Sequence, residues 1–292
     1  MIKFDDTYDK YLRYFEQCLA EKLNGLDAAA PQLIKDAMEY AVLGGGKRVR
    51  PVLCFSACEM LGGKAEDVKN IALAVEFIHS SSLVHDDLPA MDNDDYRRGK
   101  LSTHKKFGEA YGILAGDALL NVAFETLLSE RKFTDGYLKA ARIVAEYAGY
   151  GGMIGGQVED LQNEKNSAPT EDALYAIYLN KTAKLISVPI LAADCVCGGH
   201  NFDALKEYGY HLGVLFQITD DIMDVEGTFE KIGKTPHKDD TEDKLTAVKI
   251  FGLDGAKERA KTHYEHAKSI IEKIDTVGFL TAFTDKMFTR RV

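Results

Sequence analysis

Residues 71–92, IALAVEFIHSSSLVHDDLPAMD, decide the fold, because an almost wholly apolar stretch runs directly into a cluster of aspartates. With histidine neutral, Glu76 is the one charged side chain between residues 71 and 84. A helix that is apolar nearly all round is buried on all sides, so we predict that this helix is central. Carboxylates crowded at its end are costly unless a positive group lies among them.

The first aspartate cluster contains a proline that shapes it. Pro89 disfavours the helical conformation at Leu88, which predicts that the helix ends there. Asp86 and Asp92 are six residues apart, and a continuous helix would put them on different sides. A turn after the helix would instead bring Asp92 back beside Asp86, as a pair of carboxylates that holds a metal ion requires.

A second cluster, DDIMD (220–224), follows another helical stretch that begins near Leu205. Asp220 and Asp224 are four residues apart and share one helix face, whereas Asp221 points elsewhere. Hard oxygen ligands suit Mg²⁺, and Mg²⁺ held by few carboxylates usually binds phosphate oxygens as well. The two clusters together predict a diphosphate site, while a solvated acidic surface is the alternative for either cluster by itself.

The rest of the chain is also helical in pattern. We predict a helix over Ala110–Glu130, and another that begins after Thr170 and runs to Cys197 with a kink at Pro189. There is no convincing alternating strand, low-complexity linker or internal repeat. The sequence therefore predicts one all-α domain over residues 1–292, with roughly ten or more helices and a polar segment, 226–246, as a candidate lid.

Composition limits the possible partners and location. The formal net charge is −10, which argues against a nucleic-acid partner because such a partner requires a basic face. The acidic N-terminal sequence does not resemble a signal peptide, and we find no apolar run of ~18 residues, so we expect a cytoplasmic protein without a membrane span. The cysteines have no C-x-x-C spacing and are expected to be free thiols in a reducing cytosol; they are Cys18, Cys54, Cys58, Cys195 and Cys197.

Basic residues provide the complement to the carboxylates. Arg97 and Arg98 follow the first cluster, and their guanidinium groups match phosphate oxygens. GGGKRVRP (44–51) supplies three more cations after a glycine run, without P-loop spacing. Lys181 lies in an apolar helical stretch, where a lysine either extends to solvent or points into a polar cavity. For the basic turn a plain surface role stays open, as does a core role for His79, Gln157 and Gln217.

Five motifs in this order resemble those of the trans-isoprenyl diphosphate synthases, and more narrowly the bacterial short-chain farnesyl and geranylgeranyl diphosphate synthases: GGGKRVRP (44–51), HDDLPAMDNDDYRRGK (85–100), GGQVED (155–160), NKT (180–182) and FQITDDIMD (216–224). The resemblance implies the isoprenoid synthase fold, with helices around a deep central cavity, and a homodimer. It also implies Mg²⁺-dependent head-to-tail condensation of isopentenyl diphosphate with a dimethylallyl, geranyl or farnesyl diphosphate.

The resemblance assigns three Mg²⁺ ions per active site to the aspartate clusters. Asp86 and Asp92, supported by Asp87, would hold two ions on the allylic diphosphate. Asp220 would hold the third, with Asp221 and Asp224 contributing directly or through water.

The resemblance assigns the other site residues to three groups. The contacts of the allylic diphosphate would be Arg97, Lys181 and Lys234. The isopentenyl-diphosphate site would comprise Lys47, Arg50, His79 and Arg98. The groups facing the developing carbocation would be Thr182, Gln217 and the backbone near Lys181.

Three positions bear on how closely the chain follows the family pattern. Tyr178 stands where the family often has a histidine, and His237 stands where a glycine is more usual, which weakens the assignment of Lys234. Ser81 lies five residues before the first aspartate, at the position that often forms the floor of the elongation cavity. Because serine leaves more depth than tyrosine would, we expect a twenty-carbon product rather than a fifteen-carbon one, unless Phe77 or residues on neighbouring helices block the cavity.

Two other functions fit part of the pattern. A class I terpene cyclase shares the helices, the magnesium and the carbocation, but it has no need of an isopentenyl-diphosphate site such as GGGKRVRP would supply. A catalytically inactive partner subunit generally lacks carboxylates from one cluster, whereas both clusters are complete here. No Ser-His-Asp arrangement or zinc-ligand spacing is evident.

Overall fold

The computed structural model describes residues 3–130, 132–164, 168–226 and 244–289. In these ranges the chain forms thirteen α-helices that share one hydrophobic core, so the predicted all-α fold is confirmed. The helices are α1 (Phe4–Asn24), α2 (Gln32–Val42), α3 (Val49–Met60), α4 (Lys69–Asp86), α5 (Thr103–Phe107), α6 (Glu109–Leu128), α7 (Asp135–Ala148), α8 (Met153–Asn163), α9 (Glu171–Ile177), α10 (Lys184–Val196), α11 (Phe202–Glu226), α12 (Ala247–Ile271) and α13 (Phe279–Phe288). A short 3₁₀ helix spans Ala65–Val68.

The apolar stretch 71–84 lies in α4, which is central as predicted. Eleven of its 18 residues are buried. Its one carboxylate in the apolar stretch, Glu76, accepts a hydrogen bond from the Arg48 guanidinium at 3.0 Å, and both side chains are almost fully buried. A buried charge requires such a partner, so this ion pair lets Glu76 remain inside an apolar core. The helix ends at Asp86, two residues before the predicted Leu88.

The helix predicted to begin after Thr170 is present, with one local change. The Thr170 hydroxyl accepts a hydrogen bond from the Ala173 N–H at 3.2 Å, which caps α9. The chain then passes through a π-helical turn, Tyr178–Ala183, into α10. Pro189 lies inside α10, and the helix continues through it to Val196. The π-helical turn therefore comes before the helix that contains the proline. Such turns often mark functional sites.

One short hairpin departs from the expectation of no strand. Its strands are β1 (Tyr96–Arg97) and β2 (Lys100–Leu101), which pair antiparallel. The two turn residues between them, Arg98 and Gly99, both have positive φ, 53° and 74°. Two-residue hairpin loops prefer this backbone. Strands of two residues are too short to show an alternating pattern, which is why the sequence did not predict them.

Among the described residues, α6 is the one helix long and apolar enough to cross a membrane by length and composition. The sequence had indicated no uninterrupted apolar run of that length. Asp117 and Glu125 lie within α6, and 44% of the relevant window is buried against the rest of the protein. A helix that packs in a protein core passes the same test.

Candidate active site

A cavity of about 660 Å³ opens between α4, α6, α8, the π-helical turn and α11. Most of its lining is apolar, with Leu120, Met153 and Phe216 among the lining residues. Its polar lining includes Asp86 and Asp220, one from each predicted cluster. The helices thus place both clusters beside one deep apolar space, as the sequence predicted.

The turn predicted after α4 is present. The Asp92 N–H donates a hydrogen bond to the Asp86 carbonyl at 2.9 Å, so the chain folds back on the end of the helix. Burial raises the pKa of Asp86 to about 6, and the nearby Lys181 counteracts this rise. The Lys244 ammonium lies 3.1 Å from the Asp92 carboxylate. Asp86 and Asp92 therefore each lie close to a lysine side chain.

Asp87 turns away from this pair and holds Arg97. The Arg97 Nε donates a hydrogen bond to Asp87 Oδ1 at 2.9 Å, and Arg97 Nη2 contacts the same oxygen and Asp94 Oδ2. Asp87 is 2% exposed. Burial raises the pKa of Asp87 while the Arg97 hydrogen bond lowers it, with the net direction upward. This geometry fixes the Arg97 guanidinium beside the first cluster.

The second cluster presents its three carboxylates in different ways. Asp221 is buried and accepts hydrogen bonds from the Gln217 side chain at 3.0 Å, from the Ala247 N–H at 2.7 Å and from the Tyr178 hydroxyl. Asp224 is 3% exposed, and its Oδ1 lacks a hydrogen-bond partner among the described residues. A buried carboxylate oxygen without a partner is costly, so a cation beside Asp224 would satisfy it.

The π-helical turn positions the residues expected to face the carbocation. The Thr182 hydroxyl donates to Gln217 Oε1 at 2.8 Å, which orients the amide so that its NH₂ group donates to Asp221. Thr182 and Gln217 both line the cavity. The side-chain oxygen of Gln217 is thereby fixed next to the apolar space.

Lys181 is held by a residue that the sequence analysis did not assign. Its ammonium donates a hydrogen bond to the buried carboxylate of Asp160 on α8. α8 approaches the turn closely at Gly156, where an added Cβ would lie 2.2 Å from the backbone nitrogen of Lys181. The motif GGQVED contains both Gly156 and Asp160, so its spacing was the signal that could have found them.

Arg50 and His79 line the cavity together. Burial lowers the pKa of Arg50 to about 10, and the Arg50 Nε is buried without a hydrogen-bond partner among the described residues. Burial, together with the charges of Arg50 and Arg98, lowers the pKa of His79 well below its usual value. At neutral pH the site thus combines a buried guanidinium with a neutral imidazole, and an anion would match it.

The three cations of GGGKRVRP lie in different surroundings. Lys47 is exposed, whereas Arg48 is buried and donates hydrogen bonds to Glu16 at 2.8 Å and to Glu76. Only Arg50 of the three lines the cavity. Arg98 reaches the same loop, because its guanidinium donates a hydrogen bond to the Gly45 carbonyl.

Of the two residues expected to set the product length, one lines the cavity and the other does not. Ser81 is buried, lines the cavity, and donates a hydrogen bond to the Gly116 carbonyl of α6 at 2.8 Å. Phe77 is fully buried in the core and is not among the cavity's described lining residues. Lys234 and most of the candidate lid lie outside the described residues.

In the part of the chain that the structure describes, no three His, Cys, Asp or Glu side chains converge into a group that could hold a metal ion. Mg²⁺ usually takes one or two carboxylates and completes its shell with water and substrate phosphates. Asp86 and Asp220 offer oxygen ligands in the cavity lining, and the Asp224 oxygen without a partner among the described residues would be satisfied by such a cation.

Comparison with known proteins agrees with this geometry. The family model "Polyprenyl synthetase" matches residues 31–278. The chain is 43% identical over 252 residues to a chloroplastic geranylgeranyl pyrophosphate synthase of Capsicum annuum, covering 84% of this chain and 68% of that protein. It is 42% identical over 248 residues to a farnesyl diphosphate synthase of Micrococcus luteus, covering 84% and 85%.

A solved structure extends the agreement to the fold. The Helicobacter pylori geranyltransferase, crystallised with magnesium and isoprenyl diphosphate, superposes with a TM-score of 0.83 at 30% identity, over 98% of this chain and 97% of that one. The match covers the aspartate clusters and the cavity, since it spans nearly the whole chain. This chain therefore belongs to the polyprenyl synthetase family and is a short-chain prenyltransferase.

Proposed function

We propose that the protein condenses isopentenyl diphosphate head to tail with an allylic diphosphate and releases geranylgeranyl or farnesyl diphosphate. The observation that carries this proposal is one cavity with two aspartate clusters at its polar end, the cations Arg50 and Lys181 beside them, and apolar walls behind. Such a space can hold two diphosphate groups and shelter a growing hydrocarbon chain.

We propose that Asp86 and Asp92 would hold two Mg²⁺ ions and that Asp220 would hold a third, with Asp224 beside it. The magnesium in the Helicobacter pylori structure supports this assignment. When bound, the ions would neutralise the diphosphate leaving group as its C–O bond breaks. Asp221 would then hold neighbouring groups in place and would not bind an ion directly, because its oxygens accept hydrogen bonds from Gln217, Ala247 and Tyr178.

The chain's own cations complete the allylic-diphosphate site. Asp160 aims the Lys181 ammonium and Asp87 aims the Arg97 guanidinium, so both positive charges are in place before substrate arrives. Fixed charges that face the developing negative charge lower the barrier without reorganising. Lys234 is proposed as a third contact on the family resemblance alone.

The carbocation would form beside the Thr182–Gln217 pair. The Gln217 Oε1, oriented by the Thr182 hydroxyl, places a partial negative charge next to the apolar space. The apolar walls keep out water that would quench the cation. The departing diphosphate would take the final proton, so no side-chain base is required.

Isopentenyl diphosphate would bind at Arg50, His79 and Arg98, with the exposed Lys47 at the rim. The unsatisfied Arg50 Nε and the neutral His79 imidazole supply donors for one diphosphate. Holding the double bond of isopentenyl diphosphate near the cationic carbon converts a bimolecular reaction into an effectively unimolecular one.

For the product, we propose geranylgeranyl diphosphate. Ser81 lines the cavity with a small side chain, and Phe77, which could have blocked it, lies in the core instead. The two curated relatives carry different product names, geranylgeranyl and farnesyl, so family membership alone leaves both lengths open.

Product analysis tests the proposal. Purified protein is incubated with Mg²⁺, labelled isopentenyl diphosphate and dimethylallyl diphosphate, and the products are separated by length. A twenty-carbon product supports both the reaction and Ser81 as the open floor, whereas a fifteen-carbon product supports only the reaction. The matched control is Asp220→Ala, which should lose most turnover while folding normally. Absence of elongation would favour a cyclase or an inactive partner subunit.

We also propose a homodimer. α6 carries exposed apolar side chains that do not line the cavity, among them Tyr111, Leu114 and Leu128, each between 43% and 70% exposed. Large apolar patches on a protein surface mark interaction sites. Sedimentation equilibrium should give twice the 32.3 kDa chain mass, and a Leu114→Glu substitution should shift the protein toward monomer.

A further inference from the structure

Two cysteines far apart in sequence meet in the folded protein. Cys58 lies near the end of α3, Cys197 caps the end of α10, and their sulfur atoms are 3.6 Å apart. The other three cysteines are buried, and the sequence analysis gave none of the five a function. This pair lies outside the cavity of the proposed reaction, whose lining includes neither residue.

The local backbone makes room for the pair. At Gly63, an added Cβ would lie 2.7 Å from each of the two sulfur atoms, so only glycine fits there. Cys197 is followed by Gly198 and Gly199, both with positive φ. A disulfide bond is about 2.0 Å long, so the sulfur atoms must approach by roughly 1.5 Å. The end of α10, next to two glycines, is where such a shift meets the least resistance.

A second cavity, of about 490 Å³, gives solvent access to one of the two sulfurs. It is lined by Cys197, which is half-buried, whereas Cys58 is fully buried behind it. Among the described residues, the lining also contains three carboxylates, Glu66, Asp67 and Glu130, and one lysine, Lys132. Excess negative charge disfavours anionic reagents such as oxidised glutathione and admits a small neutral one.

We propose that Cys58 and Cys197 are a redox-responsive dithiol that hydrogen peroxide converts to a disulfide. The Cys197 sulfur attacks one peroxide oxygen, the O–O bond breaks, and Cys197 sulfenic acid and one water form. The Cys58 sulfur then attacks the sulfenic sulfur, the S–O bond breaks, and a second water leaves with the Cys58 proton. Two thiols are oxidised by two electrons and one peroxide is reduced to two waters.

The electrostatics agree with these roles. The contact with the Cys58 sulfur lowers the pKa of Cys197, and the Gly63 N–H adds to this effect. The same contact, together with burial, raises the pKa of Cys58. The accessible sulfur is thus the better nucleophile, and the buried one is the resolving thiol.

Peptide mapping of the full-length protein tests the proposal. The reduced protein is treated with hydrogen peroxide at low molar excess, alkylated and digested. We expect one cross-linked peptide pair containing Cys58 and Cys197, with loss of two hydrogen atoms, and its disappearance after dithiothreitol. Oxidised glutathione should give the cross-link more slowly. Free thiols at both positions, or sulfinic acid at Cys197 without a cross-link, would overturn the proposal.

Matched variants separate this pair from the other thiols. Cys58→Ser and Cys197→Ser should each abolish the cross-link, whereas Cys54→Ser, in the same helix as Cys58, should retain it. A disulfide that closes a long loop restricts the unfolded chain. The oxidised wild-type protein should therefore melt several degrees higher than the reduced one, and the Cys197→Ser protein should show no such rise. An equal rise in melting temperature in both proteins would contradict the assignment of the disulfide to Cys58 and Cys197. If a variant fails to fold, the peptide map of the wild-type protein still tests the proposal.

Discussion

The hydroxyl of Tyr178 lies between Asp221 and the first residue of α12. It donates a hydrogen bond to the Asp221 carboxylate and accepts one from the Ala247 N–H at 2.7 Å. The same N–H also lies 2.7 Å from Asp221 Oδ2. One phenol therefore connects the π-helical turn, the second aspartate cluster and the start of α12. Tyr178 stands where the family often has a histidine, whose ring N–H is also able to donate a hydrogen bond.

Tyr178→Phe should weaken Mg²⁺-dependent turnover while leaving the fold intact. The substitution keeps the ring but removes the donor to Asp221, and a hydrogen bond to a charged group contributes about 1.5–3 kcal/mol. We expect kcat to fall roughly tenfold or more and the Mg²⁺ concentration for half-maximal rate to rise. Amide hydrogen exchange at the start of α12 should also be faster.

The neighbouring Tyr175 offers a matched control for this experiment. It packs edge-on against Tyr178, with ring centroids 6.4 Å apart, and its hydroxyl forms a hydrogen bond with Arg259. Tyr175→Phe should leave the Mg²⁺ dependence unchanged. If both variants behaved alike, the contact between Tyr178 and Asp221 would have no special role. Tyr178→His should restore part of the lost turnover.

Asp160→Asn tests whether the carboxylate on α8 positions Lys181. The amide keeps the size but removes the charge that holds the ammonium, so Lys181 loses its preset direction toward the diphosphate. We expect KM for the allylic diphosphate to rise severalfold, with KM for isopentenyl diphosphate almost unchanged. Steady-state kinetics with each substrate varied separately measures this split.

Glu159→Gln is the control for Asp160→Asn. Glu159 is the adjacent acid on α8, and its carboxylate accepts a hydrogen bond from Asn180 at 3.0 Å rather than from Lys181. Its kinetics should match the wild type. Equal increases in both Michaelis constants for Asp160→Asn would indicate a general distortion of the site instead of a positioning role.

Local features explain why much of the fold was predictable. The apolar run of α4, the proline after it and the threonine cap of α9 act within a few residues, so the sequence indicated them directly. The turn between Asp86 and Asp92 followed from Pro89 alone. The start of the helix at Thr170 was also correct, whereas the π-helical turn at Tyr178–Ala183 was not predicted.

Contacts between distant elements explain what was missed. Asp160 holds Lys181 only because α8 and the π-helical turn approach closely at Gly156, and helical periodicity carries no information on that distance. Arg48 was grouped with Lys47 and Arg50 as a cation of one motif. Its actual role depends on Glu76, 28 residues away, which accepts its hydrogen bond inside the core. Such pairings become visible only when the helices are assembled.

Asp86→Asn should make the metal-free protein more stable at neutral pH and inactive. Folding raises the pKa of Asp86 from 3.8 to about 6, so the folded state favours the protonated form. Well below pH 3.8 the group is protonated in both states and costs nothing. Between pH 3.8 and 6 the unfolded chain loses this proton while the folded protein keeps it, so the destabilisation builds up over this range and levels off above pH 6, at no more than about 3 kcal/mol for a shift of this size.

Chemical denaturation in EDTA at two pH values measures this effect. The asparagine variant should gain stability at pH 8 relative to wild type and show no gain at pH 4. Asp117→Asn is the control, since Asp117 lines the same cavity but its side chain is 61% exposed. A gain for Asp86→Asn that is the same at both pH values would show that ionisation of Asp86 is not its cause.

Ser81→Tyr should shorten the product. The Ser81 side chain faces α6, where its hydroxyl donates to the Gly116 carbonyl, and it lines the cavity between the two helices. A tyrosine ring has no room toward the Gly116 backbone and must enter the cavity, which reduces the depth of the cavity.

Ser81→Ala is the control, because it loses the same hydrogen bond without filling the space. It should keep the wild-type product and lose only a little stability, about 1 kcal/mol. Chromatography of the prenyl products from both variants separates an effect of cavity depth from an effect of protein stability. A shorter product from the tyrosine variant alone would mean that the side chain at position 81 limits the length of the product. An unchanged product distribution in a folded Ser81→Tyr protein would place the floor on another helix, with Leu120 and Met153 as the next lining residues to substitute.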